Sequence, residues 1–254
     1  MDIAWLNGEF LPLDEARISP MDRGFLFGDA VYEVMPAYHG QPFLLERHLQ
    51  RLDQSLNRIR ISNPNTTLQW TSILEELVNR NMADKPANTD LFVYLQVSRG
   101  VQARRNTVIG HEGAPTLFAY CQTLPEMSEH ILAHGVSAIT QPDNRWGRCD
   151  IKSTSLIANV LLANIAADND CNEVILYRED LLTEGASSTV FAVMDNVLHT
   201  PPVNNQILPG VTRGLVLELA EQLHIPNQIR DISMNELRRA DEIWITSSTR
   251  ELFP

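Results

Sequence analysis

The sequence has 254 residues, of which 44% are hydrophobic and 20% are charged, and its formal net charge is −12. This acidic balance argues against nucleic acid and anionic membranes as partners, because both favour clustered Lys and Arg. The three cysteines, Cys121, Cys149 and Cys171, lack paired Cys or His spacing, which argues against a disulfide framework and a metal site.

The N-terminal residues 1–8 carry neither the basic segment nor the long apolar core of a secretory signal. No apolar run in the sequence approaches the roughly 20 residues that a membrane-spanning helix needs. We therefore expect a cytoplasmic protein without a membrane partner.

Residues 1–121 are predicted to form an N-terminal domain of strands and helices. Strand character appears at residues 31–34, and apolar residues then recur at helical spacing over 45–59 and 70–78. Two runs rich in strand-forming residues follow, at 91–97 and 117–122.

Residues 122–128 are predicted to be an interdomain linker, because Pro125 disfavours helix at the residue before it. A C-terminal domain is predicted over 129–254. Its predicted elements are strands at 136–140, 174–177, 190–193 and 243–246, and helices at 156–167 and 211–223. Strands and helices mixed in two halves predict an α+β protein of two domains.

Lys85 and Lys152 are the two lysines among 20 basic residues. Lys85 lies in a polar stretch that is typical of an exposed turn. Lys152 lies just before a predicted helix, where partial burial and a nearby cation such as Arg148 would favour the neutral amine that attacks aldehydes. An isolated lysine near a helix start is more often a solvated surface residue, so the position leaves both interpretations open.

Glu184 is followed by small and hydroxyl-bearing residues at 185–189 and then by an apolar strand. This order could hold a carboxylate against a bound ligand. The alternative is a turn between two strands, in which Gly185 supplies backbone freedom. Taken alone, the pattern favours the turn.

The segment 207–214 leads into the predicted helix at 211–223. A helix N-terminus has unpaired N–H groups and a positive dipole end, so the amides of Val211 and Thr212 and the Thr212 hydroxyl could bind a phosphate. The hydroxyl-rich stretch 246–249 offers further donors. Every helix has such a terminus, and the stretch also fits an ordinary polar loop.

Arg51, on the helix expected to begin near Glu46, could bind a phosphate through charge-assisted hydrogen bonds. A surface or interdomain salt bridge is the simpler interpretation of an arginine at this spacing. The lysine, the carboxylate, the helix N-terminus and the arginine together suit a phosphorylated aldehyde cofactor but do not require one.

Six segments occur in the order and spacing of one enzyme family. They are residues 27–34, 47–52, 145–155, 183–191, 208–213 and 245–249. On these motifs the sequence resembles the fold-type IV, or class IV, aminotransferases that depend on pyridoxal 5′-phosphate (PLP). The bacterial D-amino acid aminotransferases are the most similar group, and the resemblance spans nearly the whole chain.

The resemblance implies a role for each matching residue. Lys152 would carry PLP as a Schiff base and move the proton between the substrate α-carbon and the cofactor. Glu184 would contact the pyridine nitrogen and keep it protonated, and Leu208 would pack on the ring. The remaining cofactor-binding residues that it implies are Arg51, Val211, Thr212, Ser247 and Ser248.

In the D-amino acid enzymes a tyrosine and an Arg-x-His loop hold the substrate carboxylate. Tyr32 fits the tyrosine and Arg104 fits the arginine, but Asn106 stands where the histidine is expected. Asparagine donates a hydrogen bond but cannot carry the charge of a protonated histidine. The resemblance implies amino transfer from a D-amino acid such as D-alanine to a 2-oxo acid such as 2-oxoglutarate, in a homodimer.

Family members continue beyond the position of Pro254 through another strand pair and a terminal helix. The resemblance therefore leads us to expect a fold-type IV enzyme from which the C-terminal helix is missing.

Two other functions fit the same sequence. A 4-amino-4-deoxychorismate lyase would use the same cofactor to release pyruvate and p-aminobenzoate. A non-catalytic dimeric homologue would bind a small molecule or a partner instead. Formation of p-aminobenzoate would indicate the lyase, and a protein that stays colourless after PLP is added would indicate the non-catalytic homologue.

Overall fold

The structure, a computed structural model, describes residues 2–110 and 113–254, apart from the side chain of Leu132. The chain divides into two compact units. Unit 1 comprises Met1–Pro125 and Ile151–Ser155, and unit 2 comprises Glu126–Asp150 and Leu156–Pro254.

This division differs from the predicted domain boundaries in one segment. The main break falls inside the predicted linker 122–128, but Ile151–Ser155 belongs to unit 1, although it lies within the predicted C-terminal domain 129–254. The physical reason is a backbone hydrogen bond of 3.0 Å from the Tyr32 N–H to the Lys152 carbonyl. Hydropathy along the chain does not reveal such a long-range pairing.

The described part of unit 1 forms one antiparallel sheet with helices on one face. Its elements are β1 (Ile3–Leu6), β2 (Glu9–Pro12), a short 3-10 helix (Leu13–Glu15), α1 (Arg23–Phe27), β3 (Ala30–Tyr38), β4 (Gln41–Pro42), α2 (Leu45–Arg58), α3 (Thr67–Met82), β5 (Leu91–Ser98) and β6 (Thr116–Thr123). The strand order is β2-β1-β6-β5-β3-β4.

Helices α2 and α3 bury their apolar faces against this sheet. Leu52 of α2 and Trp70 of α3 are fully buried in one core with Met35 and Leu95 of the strands. The predicted helices at 45–59 and 70–78 are thereby confirmed, because their apolar spacing matches the buried face. Side chains alternate along β3 and β5, so even-numbered residues such as Tyr32 and Tyr94 lie on the opposite, half-buried face of the sheet.

The described part of unit 2 forms two smaller sheets with its own helices. Its elements are α4 (Glu129–His134), β7 (Ala138–Pro142), α5 (Ile157–Asp168), β8 (Glu173–Arg178), β9 (Leu181–Gly185), β10 (Thr189–Met194), β11 (Val197–Thr200), α6 (Val211–Gln222), β12 (Asn227–Ile229), α7 (Met234–Leu237), β13 (Glu242–Ser247) and β14 (Glu251–Phe253). The strand orders are β12-β11-β10-β13-β14 and β7-β8-β9.

Two features of unit 2 differ from the sequence prediction. Glu184 lies within β9 and not in a turn, since Ile175 of β8 pairs with Gly185. The hydroxyl-rich stretch 246–249 runs from the end of β13 into a turn, but β14 after it was not predicted, and its Phe253 pairs with Ile245 of β13. Across the described residues, no helix is both long enough and apolar enough to cross a membrane.

Gly28 fixes the end of α1 beside the lysine segment. It closes the helix in the left-handed conformation, with a φ of +66°. A Cβ at this position would overlap the Ser155 hydroxyl and lie 3.3 Å from the Ser155 Cα. Only glycine therefore fits both the backbone conformation and the close approach.

We expect Gly28→Ala to lower the free energy of unfolding by more than the roughly 1–2 kcal/mol that the left-handed conformation costs. Gly40→Ala is a matched control, because Gly40 has a φ of +78° but its Cβ would meet only Met82 Cγ at 4.0 Å. Adding Ser155→Ala should recover part of the Gly28→Ala loss in urea unfolding. Equal losses for the two glycines would contradict the overlap.

Candidate active site

The two units carry different residues of the predicted site, and each set has its own geometry. In unit 1, Lys152 lies in an extended segment beside β3. Its N–H donates to the Ser55 hydroxyl of α2 at 3.3 Å, and its carbonyl accepts the bond from Tyr32. The half-buried side chain places Nζ 4.3 Å from the centre of the Tyr32 ring. The structure thus brings together the predicted reactive lysine and the predicted substrate-binding tyrosine.

Tyr32 belongs to a row of aromatic rings on the sheet face opposite α2. Its ring stacks on Tyr94 at 5.6 Å, and Tyr94 contacts Tyr120 at 5.2 Å. Burial raises the pKa of both Tyr94 and Tyr120, so these hydroxyls stay neutral. The Tyr94 hydroxyl donates to Gln96 Oε1 at 2.7 Å. Sequence reasoning missed this row, although aromatic residues alternate along β5 and β6.

Arg51 lies on the helix-covered side of β3, in an ion pair with the fully buried Glu33. Arg51 Nε donates to Glu33 Oε1 at 2.8 Å and Nη2 to Oε2 at 2.7 Å. Burial opposes ionisation of Glu33, but the charge and hydrogen bonds of Arg51, with help from His48, lower its pKa to about 2. The structure therefore shows a salt bridge inside unit 1, and phosphate binding by Arg51 stays a prediction.

His48 completes this buried group. Its Nδ1 lies 2.8 Å from Glu33 Oε2. Burial lowers the pKa of His48 despite the neighbouring carboxylate, and the charge of Arg51 acts in the same direction. A neutral imidazole that donates from Nδ1 fits these contacts.

In unit 2, the buried Glu184 accepts two hydrogen bonds. Arg145 Nη1 donates to Oε1 at 2.5 Å, and the Leu208 N–H donates to Oε2 at 3.0 Å. Burial raises the pKa of Glu184 and Arg145 lowers it, with a net rise from 4.5 to about 7. Because folding raises this pKa, Glu184 contributes most to the free energy of unfolding below pH 4.5, where it is protonated in both states. That contribution is lost as the pH rises through 7.

Arg145 is shared between two buried carboxylates. Its Nη2 lies 2.9 Å from Asp143 Oδ2, and Arg178 Nε lies 3.2 Å from the same oxygen. Burial opposes ionisation of Asp143, but the hydrogen bonds and charge of Arg145 lower its pKa. Arg178, Asp143, Arg145 and Glu184 thus form a chain of alternating charges. The sequence analysis did not assign a role to Arg145. Its position two residues after Asp143 was the signal that could have indicated an ion pair.

The first turn of α6 fits an anion. Gly210 precedes the helix, and no side chain caps the N–H groups that follow. A Cβ at Gly210 would lie 2.8 Å from Thr189 Oγ1 and 3.2 Å from Arg213 Cβ, so a larger residue would require these side chains to shift. Among the described residues, the buried Arg213 Nε and Thr246 Oγ1 have no hydrogen-bond partner. This surplus of unpaired donors suits a phosphate group.

The other predicted site residues lie on the same elements. Val211 and Thr212 are the first residues of α6, which packs against β13. Ser247 ends β13 and Ser248 follows it, and both are half-buried. The roles of these residues toward a phosphate stay predictions.

The comparisons with known proteins identify the family. A family model described as amino-transferase class IV matches residues 30–254. A D-alanine aminotransferase from Staphylococcus aureus (strain MW2) is 35% identical over 254 residues, which cover 100% of this chain and 88% of the relative. A D-alanine aminotransferase from Bacillus licheniformis is 40% identical over 249 residues, or 98% and 85% of the two chains.

This chain is a class IV aminotransferase. The fold agrees, because a fold IV-transaminase from Curtobacterium pusillum superimposes with a TM-score of 0.86 at 25% identity, covering 97% of this chain and 84% of that structure. The predicted α+β, fold-type IV class is confirmed. As a member of this family the protein is a PLP-dependent enzyme that acts on amino acids and 2-oxo acids.

In this aminotransferase we expect Arg145→Gln to weaken PLP binding by about tenfold at pH 7, since one pKa unit corresponds to a tenfold change. Without Arg145, burial keeps Glu184 protonated to higher pH, so the carboxylate that would contact the ring is lost. The deficit should shrink by pH 9 in fluorescence titrations of apoprotein with PLP. Arg178→Gln is the control, because Arg178 contacts Asp143 but not Glu184. Equal pH dependence in both variants would contradict this role.

Proposed function

We propose that this aminotransferase transfers the amino group of a D-amino acid such as D-alanine to a 2-oxo acid such as 2-oxoglutarate. The relatives at 35% and 40% identity, both D-alanine aminotransferases, support this substrate class. The structural observation that carries the proposal is the half-buried Lys152 amine against the Tyr32 ring. The other lysine, Lys85, is paired with Asp2 at 3.2 Å.

The chain offers a residue for each part of the cofactor. PLP supplies an aldehyde that bonds to amines and a ring that withdraws electrons from the substrate α-carbon. Lys152 would provide the primary amine that holds the aldehyde, and Glu184 would contact the ring nitrogen and favour its protonated form. Leu208, whose N–H donates a hydrogen bond to Glu184, would pack against the ring. The groups that hold the phosphate are Arg51, Val211, Thr212, Ser247 and Ser248.

Lys152 also moves the proton. Its side-chain amine would take the proton from the substrate α-carbon and then release it toward the cofactor. This step needs the amine to stay close to the reacting carbon, and the hydrogen bonds to Ser55 and Tyr32 fix the backbone that carries it. Tyr32 and Arg104 hold the substrate carboxylate.

A substrate panel tests this proposal. We expect D-alanine to yield pyruvate only when 2-oxoglutarate is present, with L-alanine and L-leucine turned over far more slowly. Lys152→Ala should reduce turnover by about a thousandfold or more, because the acid–base group is removed. Lys85→Ala, the control, should leave turnover unchanged.

Two outcomes of the panel would contradict the proposal. Release of p-aminobenzoate from aminodeoxychorismate, with no turnover of D-alanine, would establish the lyase. Preference for the L-amino acids would retain the aminotransferase but reject the D-amino acid assignment.

A homodimer is part of the same proposal, and α5 offers the surface for it. Ile157, Val160 and Leu161 of this helix are 72%, 51% and 59% exposed, and they form an apolar face. Exposed apolar patches of this kind mark protein contacts. The cytoplasmic location expected from the sequence stays a prediction.

We expect the protein to be a dimer in light scattering and Ile157→Glu with Leu161→Glu to convert it to monomers, because two charges would be buried at the interface. Leu68→Glu on α3 is the control, since Leu68 is 79% exposed outside this face. A wild-type monomer, or a variant that remains dimeric, would contradict the assignment of α5.

A further inference from the structure

The connection between β5 and β6 carries Arg104 and is held by a buried arginine that sequence reasoning did not single out. Arg23, the first residue of α1, is 4% exposed. Its Nη1 donates to Gln102 Oε1 at 2.7 Å and to the carbonyl of Asn106. Its Nη2 donates to the Thr107 carbonyl at 3.4 Å. One guanidinium thus binds the loop on both sides of Arg104.

Arg23 is itself fixed from two directions. Its Nε donates to Asp29 Oδ2 at 2.7 Å. The preceding Asp22 caps α1 by accepting from the Gly24 N–H at 2.7 Å. The same carboxylate accepts from the Ser98 hydroxyl at the end of β5 at 2.9 Å and from Thr116 at the start of β6 at 2.5 Å. The start of α1 is therefore tied to the two strands between which the loop runs.

The adjacent arginines of the loop have different environments. The Arg105 guanidinium lies 4.9 Å from the centre of the Phe27 ring, and Arg23 lies 4.9 Å from the same ring. Arg104 is exposed, and within residues 2–110 and 113–254 it has no ion pair. Arg105 is thus used to hold the loop on α1, whereas Arg104 keeps its charge available for an anion.

Asn106 also has a structural contact. Besides the carbonyl that binds Arg23, its side-chain Oδ1 accepts from the Val108 N–H at 3.0 Å. This is a local turn of the kind that asparagine commonly forms. The residue that replaces the expected histidine therefore orders the loop next to Arg104.

We propose that Arg23 is a positioning residue for the substrate carboxylate, and that it acts by holding the loop in the conformation that presents Arg104. In this account Asn106 belongs to the Arg23 contact set and is not itself a substrate ligand. The inference rests on the proposed function, because it takes Arg104 as the group that binds the carboxylate. A loop that is ordered in advance loses less conformational entropy when the substrate binds.

A double-mutant cycle tests this coupling. We expect Arg23→Gln and Arg104→Gln each to raise the KM for D-alanine by about tenfold with little change in kcat, since the contact orients the substrate before chemistry. The double variant should have the KM of Arg104→Gln alone, because Arg23 acts through Arg104.

Arg99→Gln is the matched control. Arg99 shares Asp29 with Arg23, donating to both of its oxygens at 2.8 and 3.0 Å. It also donates to the carbonyls of Ile59 and Arg60, and it makes no side-chain hydrogen bond with Gln102, Asn106 or Thr107. This variant should leave the KM unchanged. A KM rise as large as that of Arg23→Gln would overturn the proposal, because it would trace the effect to Asp29.

Two further readouts keep the test decisive. Trypsin should cut after Arg104 or Arg105 faster in Arg23→Gln than in the wild type, since the loop is released. If Arg23→Gln does not fold, Gln102→Ala removes one partner of Arg23 without touching Asp29, and it should show a smaller rise in KM and the same faster cleavage. Unchanged KM and cleavage in both variants would overturn the proposal.

The outcomes also separate this inference from the proposed function. A KM effect in the double variant equal to the product of the two single effects would overturn the coupling and leave Arg104 as a substrate ligand. An active enzyme in which Arg104→Gln has a normal KM would remove Arg104 from the carboxylate site and overturn both statements. Failure to use D-alanine at all would reject the substrate assignment itself.

Discussion

The placement of Lys152 depends on the pairing of a five-residue segment with β3. Ile151–Ser155 lies between two stretches of unit 2 in the sequence, yet it belongs to unit 1. The hydrogen bonds between Lys152 and Tyr32 and between Thr154 and Ala30, each 3.0 Å, hold it there. Because the backbone is fixed at these points, the amine is held beside the Tyr32 ring. This constraint would suit the proposed role of Lys152, in which the amine first holds the cofactor and then moves a proton.

The two buried glutamates show how neighbouring cations set the charge of a site. Glu33 has Arg51 donating to both of its oxygens, and its pKa falls to about 2. Glu184 shares Arg145 with Asp143, and its pKa rises to about 7 because burial outweighs a divided cation. Glu33 is therefore a permanent anion that fixes Arg51 and His48. Because the pKa of Glu184 is about 7, a positively charged ring beside it would favour the ionised carboxylate.

The sequence predicts those parts of the molecule that local patterns determine. The periodicity of α2 and α3, the strands β5 and β6, and the helix that follows Lys152 appear in the structure within a few residues of their predicted bounds. Contacts between distant residues were not predictable. Arg23 meets Asn106 across 83 positions, and Arg145 meets Glu184 across 39. Hydropathy and propensity carry no signal for such contacts, so the anchoring of the loop between β5 and β6 and the shared arginine became visible only in three dimensions.

The covalent attachment of PLP to Lys152 is the central claim, and the composition of the chain makes it directly measurable. With Lys85 and Lys152 as the two lysines, borohydride reduction of the PLP-loaded protein leaves few amines that could carry the label. Digestion and mass spectrometry should locate a pyridoxyl group on Lys152 and none on Lys85, which is paired with Asp2. A label on Lys85 alone, or an unlabelled peptide containing Lys152, would contradict the account.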